Sequence, residues 1–182
     1  MGALAPWLGF VGGAAWIGLG FFPAECAPVT DASEVFCNRL WTPPLAAIFV
    51  ASVLVFRMLR PRLGKFGWIS LGAVATGFGL MAAGNGGEYW LAYQLPHQGP
   101  MGFVRGILWM GVLAGWLTTL IGSTALGVAL LKDRMVSAVT GVTFVLAIPL
   151  TVGFAVIAMP TVPLGIIGLG IGLLSLAART RG

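Results

Sequence analysis

Between Arg134 and Arg179 the chain runs for 44 residues, 135–178, without one charged side chain, and four charge-free runs of 17 to 26 residues precede it. These are residues 1–24, 40–56, 66–87 and 106–131. A transmembrane helix needs about 20 predominantly apolar residues to cross a hydrocarbon core of about 30 Å, so each of the four fits one crossing. As helix, the longest run would extend about 66 Å at 1.5 Å per residue. It therefore predicts two crossings with a turn, marked by Pro160 and Pro163 around Thr161 and Val162, since proline lacks the amide donor and restrains its predecessor from helical geometry. The expected fold is all-α: a polytopic transmembrane bundle of about six helices forming one membrane domain over residues 1–182. The spans are placed near residues 6–22, 44–59, 66–86, 106–131, 135–159 and 162–178. The second is short, and crosses only if Arg57 snorkels toward the lipid surface.

Composition agrees with a lipid-facing chain. Only 8% of residues are charged and 58% are hydrophobic, against roughly 25% charged in an ordinary soluble domain. The formal net charge of +5 does not indicate nucleic acid, because the basic residues fall in short clusters between apolar runs, as in cytoplasmic membrane loops. Arg57, Arg60, Arg62 and Lys65 follow the second span, Lys132 and Arg134 the fourth, and Arg179 and Arg181 the sixth. The opposite side carries Arg39 and Arg105 together with Glu25, Asp31, Glu34 and Glu88. This bias predicts an N-in/C-in protein of the cell (plasma or inner) membrane, with loops 23–43 and 87–105 facing outward.

Residues 1–6 carry no Lys or Arg, so the first span reads as a retained signal anchor rather than a cleavable signal. Glu25 before Cys26 argues against lipoprotein processing, and Pro6 against N-myristoylation. Cys26 and Cys37, the two cysteines, share the first outward loop and are expected to form a disulfide. Oxidation is permitted on that side, and closing such a loop contributes about 3 kcal/mol by chain entropy. The spacing is not Cys-x-x-Cys, so a structural staple is preferred to a redox pair.

The segment from Gly84 to His97 holds the most varied chemistry. Its glycines permit unwinding or close backbone approach, and Tyr89, Trp90 and Tyr93 suit the headgroup layer. One reading makes Asn85, Glu88, Tyr89 and His97 a shallow outward-facing site for a cation, a lipid headgroup or a proton. The plainer reading is an interfacial turn anchored by its aromatics. His97 is the single histidine, so one chain cannot build bis-histidine haem ligation or a multi-histidine metal centre. No metal site and no cofactor is implied.

The predicted hydrocarbon layer lacks Asp, Glu, Lys and His, which counts against a proton-coupled pump or transporter. Ser70, Thr76, Thr118, Thr119, Ser123, Thr124, Ser137, Thr140, Thr143 and Thr151 remain, and their hydroxyls are expected to bond to carbonyls one turn earlier or across helix pairs. Gly9 with Gly13, Gly111 with Gly115 and Gly168 with Gly172 form small-xxx-small faces for helix packing. Pro149 should kink the fifth helix and free the carbonyl of Val145.

Neither a phosphate-binding loop nor a zinc-protease helix, nucleophile elbow or paired-carboxylate motif is present. The reading that explains most with least is a non-enzymatic membrane subunit, bathed in membrane lipids, that packs against another membrane protein or as a homo-oligomer. A second is a carrier or binding protein for an apolar or uncharged small molecule such as a lipid, quinone or pigment, in a cavity near Pro149 and the threonine-bearing helices. A third is an outer-surface membrane enzyme using Glu88 as acid or base with His97 or Tyr89 as partner.

Overall fold

The computed structural model describes residues 7, 11, 31–93, 99–135 and 138–146. No strand occurs among them. Helix α1 spans Asp31–Leu59, α2 spans Lys65–Gly86 and runs on as a π-helical segment, Gly87–Ala92, α3 spans Gly99–Lys132 and the short α4 spans Ala138–Val145. Three stretches are long and apolar enough to cross a membrane: Asn38–Leu59, Lys65–Ala92 and Gly99–Lys132. They correspond to the second, third and fourth expected spans. Of those near 6–22 and 135–159 only part is described, and that near 162–178 lies outside the described residues.

Two boundaries differ from expectation. Helix α1 begins at Asp31, well before the Pro43–Pro44 pair that reads as its start, and carries both prolines inside it. Cys37 therefore sits on a helix rather than in a loop. Proline at the first helical position is favourable, which is why the pair looks like a beginning. Here the carbonyls of Arg39 and Leu40 go without their intrahelical donors, a loss that apolar helices tolerate when neighbours re-satisfy the backbone. The span starting at Asn38 has 22 residues, so it is long enough without help from Arg57. The second difference is at Gly84–Gly87, where α2 does not unwind. It continues in π geometry through Glu88 and Tyr89.

Glycines set how closely α2 approaches its neighbours, and they recur every seven residues. Gly72, Gly79 and Gly86 face α1, receiving Phe56, Phe49 and Thr42, which are themselves seven apart. Gly77 and Gly84 face α3, opposite Gly115 and the backbone of Leu108. A seven-residue repeat keeps one seam of a helix against an antiparallel partner crossing at a shallow angle. Small residues along that seam let backbones approach, which supplies dispersion contact where lipid removes the hydrophobic driving force. Gly115 and Gly77 meet so closely that a Cβ on either would stand 2.6 Å from the carbonyl oxygen of the other. Gly111, the expected partner of Gly115 in a four-residue motif, meets nothing within 4 Å. The four-residue spacing is thus not the packing motif on α3, because residue 111 turns away from the α2 seam. Gly9, Gly13, Gly168, Gly172 and Pro149 lie outside the described residues.

Leu45, Ile48, Ala51 and Val55 of α1, Leu71, Val74, Phe78 and Met81 of α2, and Leu126 and Leu130 of α3 form one core, closed by Phe144 of α4. The outward faces are also apolar: Leu91, Phe103, Ile121 and Met110 are more than half exposed. Two of the expected hydroxyl bonds are seen. Ser70 donates to the carbonyl of Phe66 at 2.8 Å, one turn back, and Thr124 to that of Val145 at 3.4 Å, across α3 and α4. Ser52, Thr119 and Ser123 are buried with hydroxyls that find no hydrogen-bond partner.

Candidate functional site

The antiparallel order puts the basic turn after α1 and the end of α3 at one end of the helices, where a side chain on Gly64 would meet Asp133. The polar residues of interest gather at the other end. The α2–α3 seam brings two of them together. Glu88 lies eleven residues beyond Gly77, about three helical turns, and Arg105 lies ten before Gly115, so both return to the contact face. Glu88 Oε1 stands 3.6 Å from Arg105 Nη2, with the two side chains only 11% and 12% exposed. The Arg105 guanidinium also lies 5.1 Å from the ring centre of Tyr93, which stacks on Tyr89 at 6.0 Å. A cation over an aromatic face gains from the ring quadrupole, more so when partly desolvated.

The α1–α2 seam assembles the rest. Asn85 donates through Nδ2 to the carbonyl of Asn38 at 2.6 Å and to Thr42 Oγ1 at 2.9 Å. Arg39 donates through Nε to the carbonyl of Tyr89 at 2.7 Å. Tyr89 belongs to the last turn of its helix, where carbonyls lack intrahelical donors, so Arg39 acts as a cap supplied by a neighbouring helix. The same guanidinium lies 5.6 Å from the ring centre of Trp90.

Beside this cluster, α1, α2 and α3 border a half-open cleft of about 370 Å³. Its walls are Trp41 and Leu45 from α1, Met81 from α2, and Trp109, Val112, Leu113 and Trp116 from α3, with Asn38, Asn85 and Tyr89 as polar members. The volume lies within the range of small-molecule sites, and an apolar lining with a few fixed polar groups is their usual chemistry.

Asn85, Glu88 and Tyr89 do not form the shallow exposed site expected of them. All three are buried, at 4%, 8% and 4% exposure, and they face different neighbours: Asn85 meets α1, Glu88 meets α3, and Tyr89 meets both α1 and the cleft. His97 lies outside the described residues, as do Cys26 and its pairing with Cys37. No group of three or more potential metal ligands occurs among the described residues. Sequence reasoning missed Arg105 as the partner of Glu88, although opposite charges flanking a short helical hairpin were the available signal. It also missed Asn38, Arg39, Trp41 and Thr42, because the proline pair assigns them to a loop. The chain matches no known protein family, no curated protein and no solved structure.

Proposed function

We propose that this is a six-span, N-in/C-in protein of the cell membrane that binds an apolar or uncharged small molecule, of lipid, quinone or pigment class, in the tryptophan-lined cleft. The cleft itself carries the proposal: three indoles, three aliphatic side chains and a methionine line a space of ligand size, together with Asn38, Asn85 and Tyr89. Flat rings and hydrocarbon chains gain dispersion contact against indole faces. The carrier reading made from sequence is kept, but its cavity moves from the Pro149 region to the α1–α2–α3 level.

A packing subunit remains the simpler reading of the apolar exterior, yet lipid contact accounts for that exterior equally well, whereas it does not account for an inward cleft. The enzyme reading draws less support, because Glu88 is held by Arg105 rather than aimed at open space. Topology is supported by the clustering of basic residues beside the ends of the helices.

The test is purification in mild detergent, solvent extraction and mass spectrometry of the extract. One apolar compound in stoichiometric amount is the expected result. Protein that carries none, and that takes up none from a lipid extract, would count against the reading.

A further inference from the structure

We infer that the molecule held in the cleft carries a hydroxyl group and donates it to Asn85 Oδ1, so that the cleft selects lipid-soluble alcohols or phenols over ketones, quinones and ethers of the same shape. This rests on the binding role proposed for the cleft and adds to it the chemistry of the ligand's polar end.

The amide of Asn85 has one orientation consistent with its surroundings. The atom 2.6 Å from the Asn38 carbonyl must be the nitrogen, because a carbonyl oxygen only accepts. Both amide hydrogens are then committed, one to Asn38 and one to Thr42 Oγ1. The Thr42 hydroxyl in turn points back to Asn38, at 3.4 Å. What Asn85 still offers is Oδ1, an acceptor. Among the described residues nothing donates to it, and it is not one of the fully enclosed unpartnered atoms. It therefore opens on the cleft that Asn85 lines, while the residue as a whole is 4% exposed. An acceptor left unpaired in an apolar wall is costly, and a donor on the ligand removes that cost.

The remainder of the wall narrows the choice further. Trp109 and Trp116 carry indole N–H groups, which only donate. A hydroxyl can donate to Oδ1 and accept from an indole at the same time. A ketone, quinone carbonyl or ether can do only the second, and leaves Oδ1 empty. The polar end of the ligand is thus small and near Asn85, and its apolar body lies along Leu45, Met81, Val112 and Trp116.

The experiment uses the full chain in nanodiscs and two probes, 9,10-dibromooctadecan-1-ol and its methyl ether, whose bromines quench indole fluorescence on contact. Their mole fractions in the bilayer are measured so that partitioning is removed from the comparison. The alcohol should half-saturate quenching at about a tenfold lower mole fraction than the ether, the scale of one buried hydrogen bond made or missed. In Asn85→Leu the two should agree to within about twofold, because the acceptor is gone. Equal half-saturation in the unmutated protein would overturn the inference while leaving the cleft a binding site, and needs no variant to fold. Absence of saturable quenching by either probe would instead remove the binding reading on which it stands.

Discussion

Glu88 on the helix after Gly77 and Arg105 on the helix before Gly115 are brought to 3.6 Å by a crossing of glycines some three turns away. The ion pair is a consequence of register. Once Gly77 and Gly115 are seated backbone to backbone, Glu88 and Arg105, eleven and ten residues away, return to the same seam. The same logic on the other face of α2 delivers Asn85 and Tyr89 to Asn38, Thr42 and Arg39.

Gly115→Ala should destabilise the protein while Gly111→Ala should not. At Gly115 the new methyl would stand 2.6 Å from the Gly77 carbonyl oxygen and 2.8 Å from the Met81 nitrogen, backbone atoms that yield only if the helices part. Overpacking of this kind costs about 1–3 kcal/mol. At Gly111 nothing lies within 4 Å, and alanine gains up to about 1 kcal/mol of helix propensity. Thermal unfolding in detergent, followed by tryptophan fluorescence, separates the two, and equal midpoints for both variants would contradict the seam.

Removing both members of the buried ion pair should cost less than the sum of removing each alone. Glu88→Gln or Arg105→Gln leaves a charge with about nine-tenths of its side chain buried and no opposite partner in the pair, at a cost of about 3–5 kcal/mol. The double variant should recover at least about 1 kcal/mol relative to the summed singles. A double-mutant cycle on unfolding midpoints measures this directly. Simple additivity would mean that the two side chains do not interact.

The unpartnered hydroxyls make an opposite prediction from the partnered one. Ser52→Ala and Ser123→Ala delete buried groups with no hydrogen-bond partner, and should be neutral or stabilising by up to about 1 kcal/mol. Ser70→Ala deletes a 2.8 Å bond to the Phe66 carbonyl and should cost about 0.5–1 kcal/mol. Unfolding midpoints that rank the three in the reverse order would show that the first two hydroxyls are satisfied.

Filling the cleft should abolish uptake and spare the fold. Leu113 lines the cleft and is 38% exposed, so Leu113→Trp can enter the space without disturbing the core, with stability unchanged to within about 0.5 kcal/mol. Quenching by the brominated alcohol should then fall at least about tenfold, the scale of losing one well-packed side-chain contact. Unaltered quenching would place the bound probe elsewhere on the protein.

Much of this architecture was legible from the spacing of charges alone. Runs of 17, 22 and 26 uncharged residues, at 40–56, 66–87 and 106–131, announced the three helices that the structure describes as long and apolar enough to cross a membrane, because lipid leaves the backbone few ways to satisfy its own hydrogen bonds other than locally. The period of the packing glycines was also present in the sequence. Gly72, Gly79 and Gly86 sit seven apart, as do Gly77 and Gly84, but a search for four-residue motifs passes over them.

Helix boundaries and side-chain partners were another matter. Whether Pro43–Pro44 opens α1 or lies within it depends on what neighbouring helices do for the freed carbonyls, and whether Glu88 meets water or Arg105 depends on which face of α2 turns to α3. Hydropathy is a local sum and reports the solvent that a stretch prefers. Register, burial and the cleft arise from the meeting of residues up to about fifty positions apart, Arg39 with Tyr89 and Asn38 with Asn85, and that meeting is decided by how closely glycine backbones pack.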